Sequence, residues 1–104
     1  MSKILTNPPK FYLLRSQLAG VHFGELIEYD PVTRHATIGG GHRIWQWHAA
    51  NTLTELARHG SSFEIYTRIS EAAPGRQVIA EVFELLEVVD QKVIDNLSKP
   101  RWLD

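Results

Sequence analysis

Between Lys10 and Gln17 aromatic and branched residues crowd together in the manner of a strand, and the run stops ahead of Ala19-Gly20. A second run, His22 to Tyr29, leads into Asp30-Pro31-Val32-Thr33. There Pro31 presets φ and Asp30 can bond to nearby backbone, so a turn and a short third strand from Arg34 to Ile38 are expected. The three together make a meander. Gly39-Gly40-Gly41 then breaks the pattern, and His42 to Trp47 resumes it as a fourth extended piece or as the far side of a glycine bulge.

Beyond this point the period changes. Asn51 to His59 reads as a helix: Thr52 and Glu55 match a capping box, Leu53, Leu56 and Ala57 share one face, and Gly60 terminates it. Ser62 to Ser70 returns to alternation, with Phe63, Ile65, Thr67 and Ile69 set against Glu64, Tyr66 and Arg68. Pro74-Gly75 makes a turn. The segment Arg76 to Leu97 fits both periods, because Ile79, Val82, Phe83 and Leu86 have helical spacing while its Val, Ile and Phe content favours a strand. A strand from Gln77 to Val88 is expected, then a short helix capped by Asp90 with Val93, Ile94 and Leu97 as its stripe, stopped by Pro100. The fold class is therefore α+β: a mostly antiparallel sheet of about five or six strands with one central helix and a short C-terminal helix.

Composition narrows the rest. At 104 residues the chain is expected to form a single domain, with residues 1–9 as an extended lead-in and 99–104 as a C-terminal tail. A hydrophobic share of 43% with 22% charged residues predicts a buried core rather than disorder. The net charge of -1 supplies no electrostatic footprint for duplex nucleic acid. With no cysteine there are no disulfides, thiolate metal sites or cysteine nucleophile. Met1 to Lys10 carries Asn7, Pro8 and Pro9 where a secretory segment needs an apolar run, and no membrane span is visible, so a soluble, cytoplasmic protein is expected.

The stretch Gly39 to Ala57 holds the candidate chemistry. An extended His42 to His48 would place Arg43, Trp45 and Trp47 on one face, a ladder able to stack on a planar ligand. His48, Asn51 and Thr52 would lead into a helix N-terminus whose N–H groups suit a phosphate or carboxylate. Trp45 and Trp47 could equally fill the space between sheet and helix. The triple glycine lacks the Lys-Ser/Thr of a phosphate loop and reads as a bulge or wide turn. On a strand His42 and His48 lie about 20 Å apart, too far to share an ion, so no metal and no cofactor are expected. Ser16, Ser61, Ser62, Ser70 and Ser98 lack an elbow signature, so no catalytic set is assigned. Glu81, Glu84 and Glu87 read as a solvated face. The apolar tail makes Trp102 a docking residue, on this chain or as an oligomer contact.

The Ala-Gly-Val within Phe11 to Phe23, the run Arg43-Ile44-Trp45-Gln46-Trp47 and the Leu-x-x-Leu-Ala helix at Leu53 to Ala57 occur in an order that resembles a family of small phage and prophage proteins grouped as a domain of unknown function. Pro100 to Trp102 is compatible with that family's C-terminal Pro-x-Trp. His48-Ala49 stand where the family tends to have Asp-Gly, a departure at the corner that would hold a ligand. The resemblance implies an accessory protein of a mobile element, in the cytoplasm of its host cell. The expected function is non-enzymatic binding of the anti-defence kind, by occupying a host protein or sequestering a small nucleotide-like molecule, in a homo-oligomer. The alternatives are a self-assembling virion or structural component and a small enzyme using His42 or His48 as general base.

Overall fold

The computed structural model describes residues 4–47, 52–61 and 67–101, with side chains in the first stretch described from residue 10 onward. Among the described residues, six antiparallel strands and two short helices follow the order β1 (Ile4–Ser16), β2 (Gly20–Asp30), β3 (His35–Gln46), α1 (Leu53–His59), β4 (Arg68–Ile69), β5 (Arg76–Ile79), β6 (Val82–Glu87) and α2 (Gln91–Leu97). The α+β class, dominated by its sheet, is as the sequence predicts.

The first three strands form the expected meander. Asp30 accepts from Val32 N through its carboxylate and from Arg34 N through its carbonyl, which closes the β2–β3 turn and holds Arg34 in the left-handed region at φ 61. The triple glycine does not end a strand. It lies inside β3, where the register slips between Phe23/Glu25 on β2 and Gly40 takes φ 57, so the bulge alternative holds and the expected third and fourth strands are one.

The expected strand from Gln77 to Val88 is two strands parted by a kink at Ala80 and Glu81. β5 pairs with β3 through Ala36↔Ile79, whereas β6 pairs with β1 through Leu14↔Leu85. Between them Glu81 adopts φ 58, and the kink is stitched on both sides: Gln17 N donates to the Glu81 carbonyl at 3.1 Å and Val82 N to the Arg34 carbonyl at 3.0 Å. The ribbon thus joins the two ends of the β3-β2-β1 sheet, and the sheet curls into a small barrel closed through the chain itself.

Alternation along these curled strands makes two cores. Leu14, Leu26, Ala36, Ile38, Ile79 and Val82 fill the barrel, with Tyr12 and Tyr29 packed against them. Leu13, Val21, Phe23, Ile44 and Ile69 face the other way and are covered by Leu53 and Leu56 of α1 and Val93 and Leu97 of α2. Phe11 and Phe23 stack on this side with centroids 5.6 Å apart. Close approach of backbones limits side chains at the bulge: a Cβ on Gly24 would sit 3.0 Å from the Gly39 carbonyl oxygen and 3.1 Å from Gly41 Cα.

Both helices begin as expected. The Thr52 hydroxyl accepts from Glu55 N at 3.2 Å and the Asp90 carboxylate from Lys92 N at 2.9 Å. The helix expected from Asn51 starts at Leu53, after its cap, and Gly60 ends it at φ 73. A polar joint ties the two helices together. Asn96 Oδ1 accepts from Ser61 N at 2.9 Å, Asn96 Nδ2 donates to the Ser61 carbonyl at 3.0 Å, and the buried Arg101 guanidinium donates to the Asn96 carbonyl. Arg101 also pairs through its backbone with Ile69, adding one antiparallel bridge on the outer side of β4. The strand expected from Ser62 to Ser70 is seen at Arg68–Ile69 within the described residues 67–70, and 62–66 lie outside the described residues. Among the described residues no helix is long and apolar enough to cross a membrane.

Candidate functional site

β3 is the strand on which the candidate residues sit, and its second half does not keep a period of two. Ile44 pairs with Ile69 and Gln46 with Arg68, so Trp45 is an extra residue in the ladder. The expected ladder of Arg43, Trp45 and Trp47 on one face is therefore not formed. The bulge throws Trp45 outward, where it is 49% exposed, and returns Trp47 to the helix-side core, against which it packs. Arg43 lies on the opposite side of the strand from Ile44, and a Cβ on Gly20 would come within 3.3 Å of its guanidinium.

Trp45 borders a shallow trough of about 540 Å³, completed by Ser70, Glu71, Ala72, Ala73 and Pro74. The 70–74 segment has few apolar anchors of its own and is clasped to β3 by hydrogen bonds. Ser70 N donates to the Arg43 carbonyl at 2.9 Å, Arg43 N to Ser70 Oγ at 2.8 Å, and Ala73 N to the Gly41 carbonyl at 2.8 Å. His42 completes the clasp, its Nδ1 donating to the Ser70 carbonyl at 2.8 Å from a position only 7% exposed. The trough is thus a fixed shelf: a rigid segment of small residues beside an indole.

The other candidates are placed differently. Thr52 caps α1, which consumes one of the N–H groups the sequence offered to an anion. His48, Asn51 and Trp102 lie outside the described residues. His22, which sequence reasoning left among ordinary histidines, is only 5% exposed and its Nδ1 is buried without a partner. Burial holds its pKa below the usual histidine value, the Arg43 guanidinium adds to this, and the backbone of Gly20 pulls the other way. Glu84 and Glu87 lie near cations, 3.8 Å from Arg15 and 3.8 Å from Lys10. Glu81 is exposed at the kink. Among the described residues no group of His, Asp and Glu is arranged to hold a metal ion.

A cavity that sequence reasoning missed lies where the ribbon enters the barrel, with Arg15, Arg34, Gly20 and Phe83 among its lining residues. Its parts come from the β1–β2 hairpin, the β2–β3 turn and β6, distant in sequence, so no local pattern marks it.

Neither the curated proteins nor the solved structures contain a match to this chain. A family model does match, described as Domain of unknown function (DUF6948), and it covers residues 10–95. That span takes in the barrel, α1 and most of α2, and with so much of the 104 residues matched the chain belongs to the DUF6948 family.

Proposed function

We propose that this is a binding protein rather than an enzyme, an accessory protein of phage or prophage type that works by occupying a protein of the host. The observation that carries this reading is the Trp45 shelf. An indole raised on a bulge, half exposed, beside a clasped run of Ala72, Ala73 and Pro74 offers a flat apolar contact that is already in its bound shape. Preformed aromatic anchors of this kind lose little entropy on association and dominate the affinity of protein interfaces. Because the bulge turns Trp47 away from Trp45, leaving a single indole where a stacked pair was expected, and Glu71 stands in the trough, the shelf suits an apolar protein surface better than a nucleotide-like anion. The second reading, a self-assembling component in which the apolar contacts are between copies, draws on the exposure of Leu18, Val32, Val78 and Val89.

A photo-crosslinking residue at position 45, introduced in the native host and followed by mass spectrometry, tests the proposal. The crosslinked protein, once purified, should bind the wild type and lose at least tenfold in affinity to Trp45→Ala, the expected effect of truncating a central aromatic anchor. Crosslinks only to other copies of this chain, together with large assemblies in light scattering, would favour the structural reading. Equal binding by Trp45→Ala would overturn the assignment of the shelf.

A further inference from the structure

We infer that the barrel corner between Arg15, Arg34 and Phe83 is a second binding site, for a planar organic anion of mononucleotide size. The cavity there measures about 580 Å³, and its lining includes Arg15, Arg34, Gln17, Gly20 and Phe83 but no carboxylate. Such a volume matches that of small-molecule sites, and two arginines without a carboxylate in the lining give the corner a positive character in a chain of net charge -1.

Two departures from regular structure converge on this corner. Arg34 occupies the left-handed region at φ 61, where glycine or asparagine would be less strained, yet a long cation stands there. Its backbone is held by the Asp30 and Val82 hydrogen bonds, and among the described residues no carboxylate pairs with its side chain. Phe83 is the extra residue of a β6 bulge, since Ser16 pairs with Val82 and Arg15 with Glu84. That bulge turns the ring out of the barrel and leaves it 54% exposed at the cavity. An aromatic face beside guanidinium groups is the chemistry that receives a ring bearing an anionic group: the ring stacks on Phe83 and the anion takes the donors of Arg34 and Arg15. Arg15 already faces Glu84, but at 3.8 Å and partly exposed that pairing leaves the guanidinium donors accessible. The Arg43 guanidinium, beside Gly20 but outside the lining, adds to the positive field.

The experiment is a titration of the full chain, followed by two-dimensional amide NMR, with adenosine 5′-monophosphate, adenosine and inorganic phosphate in parallel. The monophosphate should shift the amides of Arg15, Gln17, Gly20, Arg34 and Phe83, while adenosine and phosphate should each bind at least tenfold more weakly. Arg34→Gly is the discriminating variant, because glycine accepts the backbone conformation while the cation is lost. It should weaken monophosphate binding at least tenfold without lowering the melting temperature, and Phe83→Ala should do the same to the ring contribution. No shift with millimolar monophosphate, equal binding of phosphate alone, or full binding by Arg34→Gly would each overturn the proposal.

Discussion

Replacing Asn96 with Ala severs the joint between the two helices while leaving the barrel untouched. The Asn96 amide bonds at 2.9 and 3.0 Å to the backbone of Ser61, a residue 1% exposed, and its Oδ1 also accepts from Arg101 Nη2 at 3.4 Å. Each such bond contributes about 1 kcal/mol, and a buried backbone group deprived of its partner costs about 1–3 kcal/mol. The side chain also packs beneath Gly60, so its removal leaves a gap there. The expected loss is about 2–4 kcal/mol, a large share of the roughly 5–15 kcal/mol that holds a domain of this size together. Urea denaturation followed by tryptophan fluorescence measures it, with a lower midpoint at an unchanged slope. Thr54→Ala, at an exposed position on α1, serves as the reference and should stay within about 0.5 kcal/mol. An Asn96→Ala variant as stable as that reference would show that the joint contributes nothing and would refute the reasoning.

Three further outcomes are expected. Gly24→Ala should cost about 1–3 kcal/mol in the same assay, because its Cβ meets the Gly39 carbonyl and Gly41 backbone, which cannot move aside as a flexible side chain would. Glu81→Asn should raise stability by up to about 1 kcal/mol, since asparagine tolerates φ 58 better and the Glu81 side chain is exposed; a fall in stability would contradict the strain assigned to the kink. His22 gives the fold a pH dependence: its folded pKa lies below 6.5, so as pH falls below 6.5 the unfolded chain takes up a proton that the native ring resists. Its share of stability is intact above that value and is lost as pH falls toward the folded pKa. Stability measured at pH 7.5 and 5.5 should therefore drop less in His22→Gln than in the wild type.

The parts of the fold legible in the sequence were those governed by neighbours in the chain. The caps at Thr52 and Asp90, the terminator at Gly60 and the Asp30-Pro31 turn all act over a few residues, and each is present. The parts that were not legible depend on pairings across the sheet. Nothing local distinguishes Trp45 from Trp47; the bulge that separates them exists because β4 pairs with Ile44 and Gln46 but skips the residue between. Likewise the division of β5 from β6 reflects a change of partner from β3 to β1, which the continuous run of branched residues from Gln77 to Val88 conceals. The Arg15, Arg34 and Phe83 corner could not be read at all without that closure.

Closing the barrel through residues Arg76–Glu87 also has a consequence during synthesis. The hairpins of β1, β2 and β3 leave the ribosome first, with the outer rims of β1 and β3 still lacking hydrogen-bond partners. At roughly 5–20 residues per second, the wait for the ribbon that satisfies both rims is on the order of 2–8 s. Throughout that interval the nascent sheet can accept a ribbon from a second nascent chain as readily as its own, so chains made close together on one message are at risk of exchanging their closing strands.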